Sequence, residues 1–445
     1  MILHKAETLD RETLEAEQLQ GLKKTVRLAY EKSPFYKEAF QNIGFSPDQI
    51  HNLADIRLLP FTEKKHLREH YPFGLFAAGR EELVRIHASS GTSGKPTIVG
   101  YTKQDVENWA ELTARAIAIG GGTPAGILHN AYGYGLFTGG LGLHAGGERL
   151  GMAVVPVSIG NTDRQITLIE DLQPEVICCT PSYALNIAER MLETGKNPRE
   201  TSLKFGIFGA EPWSEEMRKV LEDRLGIKAC DIYGLSEVMG PGVAMECHEA
   251  QDGLHIAEDY FYAEVIDPDT LEPVPDGESG ELVFTSLRKE AIPMIRYRTG
   301  DVASLTKKPC KCGRTTMRMS RIKGRIDDML IIRGVNVFPS EIEHHLIAVP
   351  EIGPHYQLHL GRRGPLDEVT LHVEVSEEVY ADITMDMEHE RMIELRTRIQ
   401  HLLKSSCLVS VNVQVKAPKS IPRSEGKAVR IVDARLKASE AEGIS

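Results

Sequence analysis

The sequence predicts an α/β protein: a large N-terminal domain built on mainly parallel sheets with a small β subdomain, followed by a smaller α+β C-terminal domain. Three observations predict it. Between residues 152 and 235, short β-branched runs alternate with helical patterns, as in a largely parallel sheet covered on both faces. From 258 to 306 the pattern changes to strands punctuated by turn signals such as Asp267-Pro268 and Asp276-Gly277. Beyond Gly324-Arg325 the pattern starts again, with enough chain for a separate domain of about 115 residues. The expected division is 1–326, with the β subdomain at about 245–320, and 327–445.

Taken in order, residues 11–30 place Leu14, Leu22, Val26 and Ala29 at roughly helical spacing, and a second helical piece is expected after Pro34. From Ile117 to Gly147 the chain is rich in glycine and aromatic residues, a composition that permits close backbone packing or the approach of a ligand. Strands are expected at 152–157, 175–179, 204–208 and 227–233, with helices at 162–172, 182–194 and 214–225 between them. The β subdomain reads as Phe261–Ile266 and Glu281–Thr285. The C-terminal domain reads as strands at 329–332, 369–375 and 408–415 with helices at 341–348 and near 387–404.

Composition excludes several classes. With 41% hydrophobic and 26% charged residues the 445-residue chain is an ordinary globular protein. A net charge of −12 argues against a nucleic-acid binder, which carries a basic footprint. Neither a signal-peptide core nor a membrane-spanning run is found, so no membrane partner is expected and the cytoplasm is the expected compartment. Seven cysteines, thinly spread, do not form a disulfide framework. No run matches the dinucleotide fingerprint GxGxxG.

The most informative stretch is Ser89, Ser90, Gly91, Thr92, Ser93, Gly94 and Lys95. Its glycines let the backbone approach an anion, while its N–H groups, hydroxyls and ammonium supply donors and positive charge, which is the chemistry of a polyphosphate cradle. It departs from the P-loop, because only two residues separate Gly91 from Gly94 and Lys95 is followed by Pro96. Ligands of parallel sheets gather at the carboxyl ends of the strands. Two of the expected strands end there in polar, glycine-bearing loops, Gly209-Ala210-Glu211-Pro212 and Tyr233-Gly234-Leu235-Ser236-Glu237.

The stretch 89–95, Tyr233 to Glu237, Tyr297 to Asp301, Gly324 to Asp328 and Pro422 to Lys427 occur in the order and rough spacing of the adenylate-forming enzymes, the acyl- and aryl-CoA synthetase superfamily. Within it, Tyr132 to Gly140, Tyr233 to Ala244 and Met329 to Pro339 resemble the phenylacetate–CoA ligase family. The resemblance implies a two-step reaction. A carboxylate attacks the α-phosphate of ATP, giving an acyl-adenylate and pyrophosphate, and the thiol of coenzyme A then displaces AMP. Both first-step reactants are anions, so charge neutralisation is required. By the resemblance, 89–95 holds the β- and γ-phosphates, Glu237 holds Mg²⁺ and Ser236 donates to the α-phosphate. Tyr233 presents a face to the adenine, while Gly209 to Pro212, Asp231, Ile232 and Gly234 line its surroundings. Asp301 accepts from the ribose hydroxyls, and Arg325 reaches the ribose or phosphates. Lys427 bridges the substrate carboxylate and the α-phosphate, and its place in the small domain requires that domain to be mobile, with Asp327 at the hinge.

An apolar slot for an aromatic carboxylate is expected from Tyr132, Tyr134, Phe137, Gly139, Gly140, Ala210, Met239 and Gly240; core packing has the same composition. Benzoate- or indoleacetate-type acids, a carrier protein in place of coenzyme A, and a regulator that kept the fold without catalysis are the alternatives. A homodimer is expected from similar enzymes. Finally, Cys310 and Cys312 form a tight thiol pair, and with Cys247 and His255 they meet the tetrahedral demand of a structural Zn²⁺, His248 being the alternative ligand.

Overall fold

The computed structural model describes residues 1–89, 96–332, 335–363 and 366–434. The chain opens with α1 (Arg11–Lys32), whose first turn is capped by the Asp10 carboxylate on the Thr13 N–H, and α2 (Pro34–Asn42), with proline in the first turn where no N–H is needed. α3 (Lys64–Glu69) follows, then β1 (Leu83–Ser89) and β2 (Thr97–Thr102), which pair antiparallel on either side of residues 90–95. α4 (Lys103–Ile119) leads to β3 (Ile127–Asn130), α5 (Thr138–Leu150) and β4 (Ala153–Val155). The expected alternation then appears as α6 (Thr162–Leu172), β5 (Val176–Cys179), α7 (Pro181–Glu193), β6 (Phe205–Gly209), α8 (Glu215–Leu225) and β7 (Lys228–Leu235).

The glycine-rich stretch becomes a helix, α5, against its propensity. Glycine in a helix interior costs about 0.5–1 kcal/mol relative to alanine. The compensation is proximity: a Cβ at Gly142 would stand 2.4 Å from the Trp109 ring of α4. Here glycine serves close packing.

The region expected as one β subdomain divides between two sheets. Among the described residues, β8 (Gly240–Glu246), β9 (Leu254–Ile256), β13 (Leu305–Thr306) and β14 (Arg318–Met319) extend the main sheet, giving the order β13-β14-β9-β8-β7-β6-β5-β3-β4. Its β4-β3-β5-β6-β7 half is parallel, and the pairings from β7 to β13 are antiparallel. Strands β10 (Phe261–Ile266), β11 (Gly280–Ser286), β12 (Tyr297–Ala303) and β15 (Gly324–Arg325) make the separate antiparallel sheet. Turn signals mark where strands end but not which sheet they join.

The C-terminal part holds a hairpin, β16 (Leu330–Ile332) and β17 (Val335–Val337), followed by α9 (Pro339–Ile347), β18 (Ile352–Arg363), β19 (Leu366–Val375), α10 (Glu377–Asp382), α11 (Glu390–Ser406), β20 (Asn412–Lys416) and β21 (Ile431–Asp433), with sheet order β20-β19-β18-β21. Strand β18 is absent from the sequence expectation, although Tyr356, Leu358 and Leu360 alternate with His355, Gln357 and His359 in the period of two that marks a strand. β20 starts four residues later than expected. The apolar faces of these strands close on α9 and α11 in a core of their own, including Leu358, Leu371, Val413, Ile399 and Leu403. Among the described residues, no helix is long and apolar enough to cross a membrane.

Candidate active site

The carboxyl ends of β6 and β7 bring the two polar loops side by side. Gly209 sits opposite Ile232 in the parallel ladder, where a Cβ would stand 2.3 Å from the Ile232 carbonyl, and Ala210 follows in a left-handed conformation (φ 68°) that non-glycine residues rarely adopt. The β7–β8 reversal is equally tight: Gly240 has φ 125°, and a Cβ at Gly234 would overlap the Gly240 carbonyl. Inside that turn Glu237 is buried, with Lys64 Nζ 3.9 Å from its Oε1, and Ser236 Oγ lies 3.1 Å from Thr138 Oγ1.

Asp301 on β12 joins this loop to the second sheet. It accepts from the Tyr233 hydroxyl at 2.6 Å through Oδ2 and from Arg325 at 2.9 Å through Oδ1. Arg325 also reaches the Asp327 carboxylate at 2.9 and 3.1 Å, so one guanidinium ties the ribose candidate to the expected hinge. Burial pushes Asp301 up, and Arg325 opposes it. Burial likewise pushes Asp231 up to about 6, against the pull of Arg321. The Tyr233 ring packs at 6.0 Å against Phe284.

The C-terminal loop reaches this edge. The Gly426 carbonyl accepts from the Thr180 and Ser182 hydroxyls at 2.7 and 3.1 Å, and the Ala428 N–H donates to Glu211 at 2.8 Å. Between them, Lys427 places Nζ 5.2 Å from the centroid of the Phe137 ring. Surrounding protein lowers the Lys427 pKa, while Glu211 raises it. Further out, Glu189 of α7 receives His355 at 2.7 Å and Arg423 at 3.0 Å. Burial would raise Glu189, yet His355, Arg423 and Arg224 together hold it down to about 2.

The expected slot residues separate into two groups. Tyr134 and Phe137 are partly exposed, the Tyr134 hydroxyl receiving Asn130 Nδ2 at 2.8 Å. Tyr132 and Met239 are buried within apolar clusters, although the Tyr132 hydroxyl finds no hydrogen-bond partner among the described residues. Gly139 and Gly140 open α5, and a Cβ at Gly140 would stand 2.5 Å from the Gly133 carbonyl. Of the phosphate stretch, Ser90, Gly91, Thr92, Ser93, Gly94 and Lys95 lie outside the described residues. Ser89 at its mouth has a buried Oγ without a hydrogen-bond partner among the described residues.

Cys247, His255, Cys310 and Cys312 converge, their ligand atoms all within 4.8 Å of one another. Cys247 and Cys310 sulfurs are 3.7 Å apart, close to the ~3.8 Å of two thiolates about 2.3 Å from a tetrahedral ion. Cys312 Sγ lies 3.3 Å from His255 Nε2, and its contacts with Cys247 and His255 hold it well below the usual thiol range. His248 instead packs its ring 5.1 Å from that of Phe205.

Sequence reading missed Lys64, Glu189 and His355. Lys64 starts a six-residue helix in an ordinary charged stretch; the other two carry no motif and meet only through the fold.

Comparison with known proteins identifies the family. A family model described as AMP-binding enzyme matches residues 4–287, and one described as AMP-binding enzyme C-terminal domain matches 334–435. The chain is 53% identical over 437 residues to a phenylacetate–coenzyme A ligase of Thermus thermophilus, covering 96% of this chain and 98% of that protein. It is 51% identical over 430 residues to one of Escherichia coli, covering 96% and 97%. Among solved structures, a 2-hydroxyisobutyryl-CoA ligase in its postadenylation state with 2-HIB-AMP superposes with a TM-score of 0.91 at 31% identity, over 99% of this chain and 93% of that one. The same enzyme with 2-HIB-AMP and CoA in the thioesterification state gives only 0.71 over 99% and 94%. The arrangement found here, with the Lys427 loop docked on the strand ends, is therefore the nearer to the postadenylation state. The chain belongs to the AMP-binding enzyme family, the adenylate-forming enzymes, and within it to the phenylacetate–coenzyme A ligases.

Proposed function

We propose that the chain joins phenylacetate to coenzyme A through an acyl-adenylate, consuming ATP and releasing AMP and pyrophosphate. The observation that carries this reading is the meeting of Lys427 with the Phe137 ring at the edge that also holds Tyr233, Glu237 and Asp301. An ammonium between an aromatic wall and a nucleotide edge can offset the charge that builds up as a carboxylate attacks the α-phosphate. Tyr233 and residues 209–212 with Asp231, Ile232 and Gly234 surround the adenine. Asp301 and Arg325 take the ribose, each Asp301 oxygen retaining a second acceptor position beside its present partner. Ser236 donates to the α-phosphate. Ser89, whose buried hydroxyl lacks a partner among the described residues, begins the triphosphate clamp that continues through Lys95. Tyr132, Tyr134, Phe137, Gly139, Gly140, Met239 and Gly240 form the acid slot.

Mg²⁺ fits the donor set, being a hard cation that takes one or two carboxylates together with substrate phosphates. Glu237 would hold it, where it would neutralise phosphate charge. Zn²⁺ fits the Cys247, His255, Cys310 and Cys312 set as a closed structural site. The division into units 1–326 and 327–445, with the smaller one moving between half-reactions, and a homodimeric assembly in the cytoplasm complete the proposal.

The test is pyrophosphate release across aryl and aliphatic acids, with and without coenzyme A, together with mass analysis of the thioester. Phenylacetate should give the highest kcat/KM and a coenzyme A thioester. Preference for a benzoate- or indoleacetate-type acid would refute the substrate, and turnover that requires a carrier protein would refute the acceptor.

A further inference from the structure

The turn that carries Glu237 is held from behind by the buried side chains of Tyr101 and Lys289. Residues 236–239 reverse the chain between β7 and β8, and a buried carbonyl in such a turn needs a donor from elsewhere. The Tyr101 hydroxyl on β2 donates to the Met239 carbonyl at 2.7 Å and lies 3.5 Å from that of Ser236. Lys289, three residues past β11, donates from Nζ to the carbonyl of Glu237 itself at 3.2 Å.

Lys289 is 1% exposed, a rare situation for a lysine, because taking its charge out of water is costly without compensation. The compensation is specific. The Tyr101 ring lies 4.9 Å from Nζ, and the buried carboxylates of Asp105 and Glu237 attract the ammonium. Asp105 accepts the N–H groups of Thr102, Glu290 and Ala291 at 3.1, 2.7 and 2.9 Å, which pins the Lys289 segment to the start of α4. Burial still lowers the Lys289 pKa to about 8. An apolar residue could fill this space without desolvating a charge, so the ammonium points to a task at the Glu237 backbone.

We propose that Lys289 is a positioning residue for the metal site: its bond to the Glu237 carbonyl, with that of Tyr101 to Met239, fixes the turn so that the Glu237 carboxylate meets the metal–triphosphate. The proposal rests on the reading of Glu237 as the Mg²⁺ ligand. Partners that orient a metal ligand typically govern about 10- to 100-fold in metal affinity.

The experiment measures Mn²⁺ binding by electron paramagnetic resonance to protein saturated with α,β-methylene-ATP, for the unaltered chain and for Glu237→Gln, Lys289→Met and Tyr101→Phe, with thermal melts to establish folding. Glu237→Gln should lose most of the Mn²⁺ affinity. Lys289→Met should weaken it about tenfold, and Tyr101→Phe should weaken it in the same direction by less. If Glu237→Gln leaves Mn²⁺ binding unchanged, the reading of Glu237 falls, and this proposal with it. If Glu237→Gln weakens binding while folded Lys289→Met does not, Lys289 is only a structural residue and the proposal alone is overturned. Should Lys289→Met fail to fold, unchanged Mn²⁺ affinity in Tyr101→Phe overturns it.

Discussion

The carboxylate of Glu211 accepts the N–H of Ala428 at 2.8 Å, one residue past Lys427. Its other oxygen accepts the N–H of Ser182 at 2.9 Å, at the start of α7. A residue read from the sequence as lining the adenine thus also fixes the peptide that presents the candidate catalytic lysine.

Glu211→Gln should therefore slow adenylation about tenfold, because an amide has one acceptor oxygen where the carboxylate supplies two, and one buried N–H is left unpaired. Pyrophosphate exchange measures the first half-reaction and stopped-flow conversion of supplied phenylacetyl-adenylate the second. Equal losses in both would refute a role confined to docking the Lys427 loop.

Lys427→Ala should reduce adenylation by at least about a hundredfold, the size of loss seen when one transition-state donor is removed. Thioester formation from supplied adenylate should persist. The same two assays decide, and parallel collapse of both steps would count against the division of labour.

Protein purified without chelator should contain one zinc per chain by elemental analysis. Its removal should lower the melting temperature by at least about 3 °C, since an ion bound only by the folded chain stabilises it. Cys312→Ser should abolish stoichiometric zinc. Absence of zinc from the unaltered protein would end the assignment.

Asp231 supplies a pH signature. Its folded-state pKa of about 6 lies above the ordinary 3.8, so the folded form holds the proton more tightly and ionisation costs stability as pH rises from about 4 through about 6. Asp231→Asn should be more stable than the unaltered chain at pH 7.5 by about 1 kcal/mol, a figure reduced for its partial exposure, and should show no gain at pH 4. A gain equal at both pH values would place the effect in packing instead of ionisation.

Much of the candidate site is legible because its proposed chemistry lies in contiguous runs. Tyr233 to Glu237, Tyr297 to Asp301 and the Lys427 loop each occupy a few neighbouring residues, so order and spacing carry their meaning. The three helices between residues 162 and 225 were readable to within about a residue because apolar periodicity and caps agree, as at Asn161, Thr180 and Ser214. Lys64, Lys289 and Glu189 were not legible. Each is an unremarkable charge in its own segment and acquires a partner 52 to 173 positions away. The same holds for sheet membership: β9 and β14 pair across 63 to 65 positions, a distance at which local pattern says nothing.

The sequence by itself determined the α/β class, the restart of the chain past Gly324-Arg325, the candidate catalytic loops and the four metal-ligand candidates, because residue type and local spacing encode strand period, turn and donor chemistry. Only the tertiary structure decided that Cys247 and His255 close on Cys310 and Cys312, and that Glu211 and Glu189 hold the Lys427 loop against the strand ends. It also decided that a fully buried lysine stands behind Glu237. The physical reason is common to all three: desolvation makes a buried charge or thiol cluster tolerable only when long-range pairing brings its partners within bonding distance, and that pairing is a property of the packed chain.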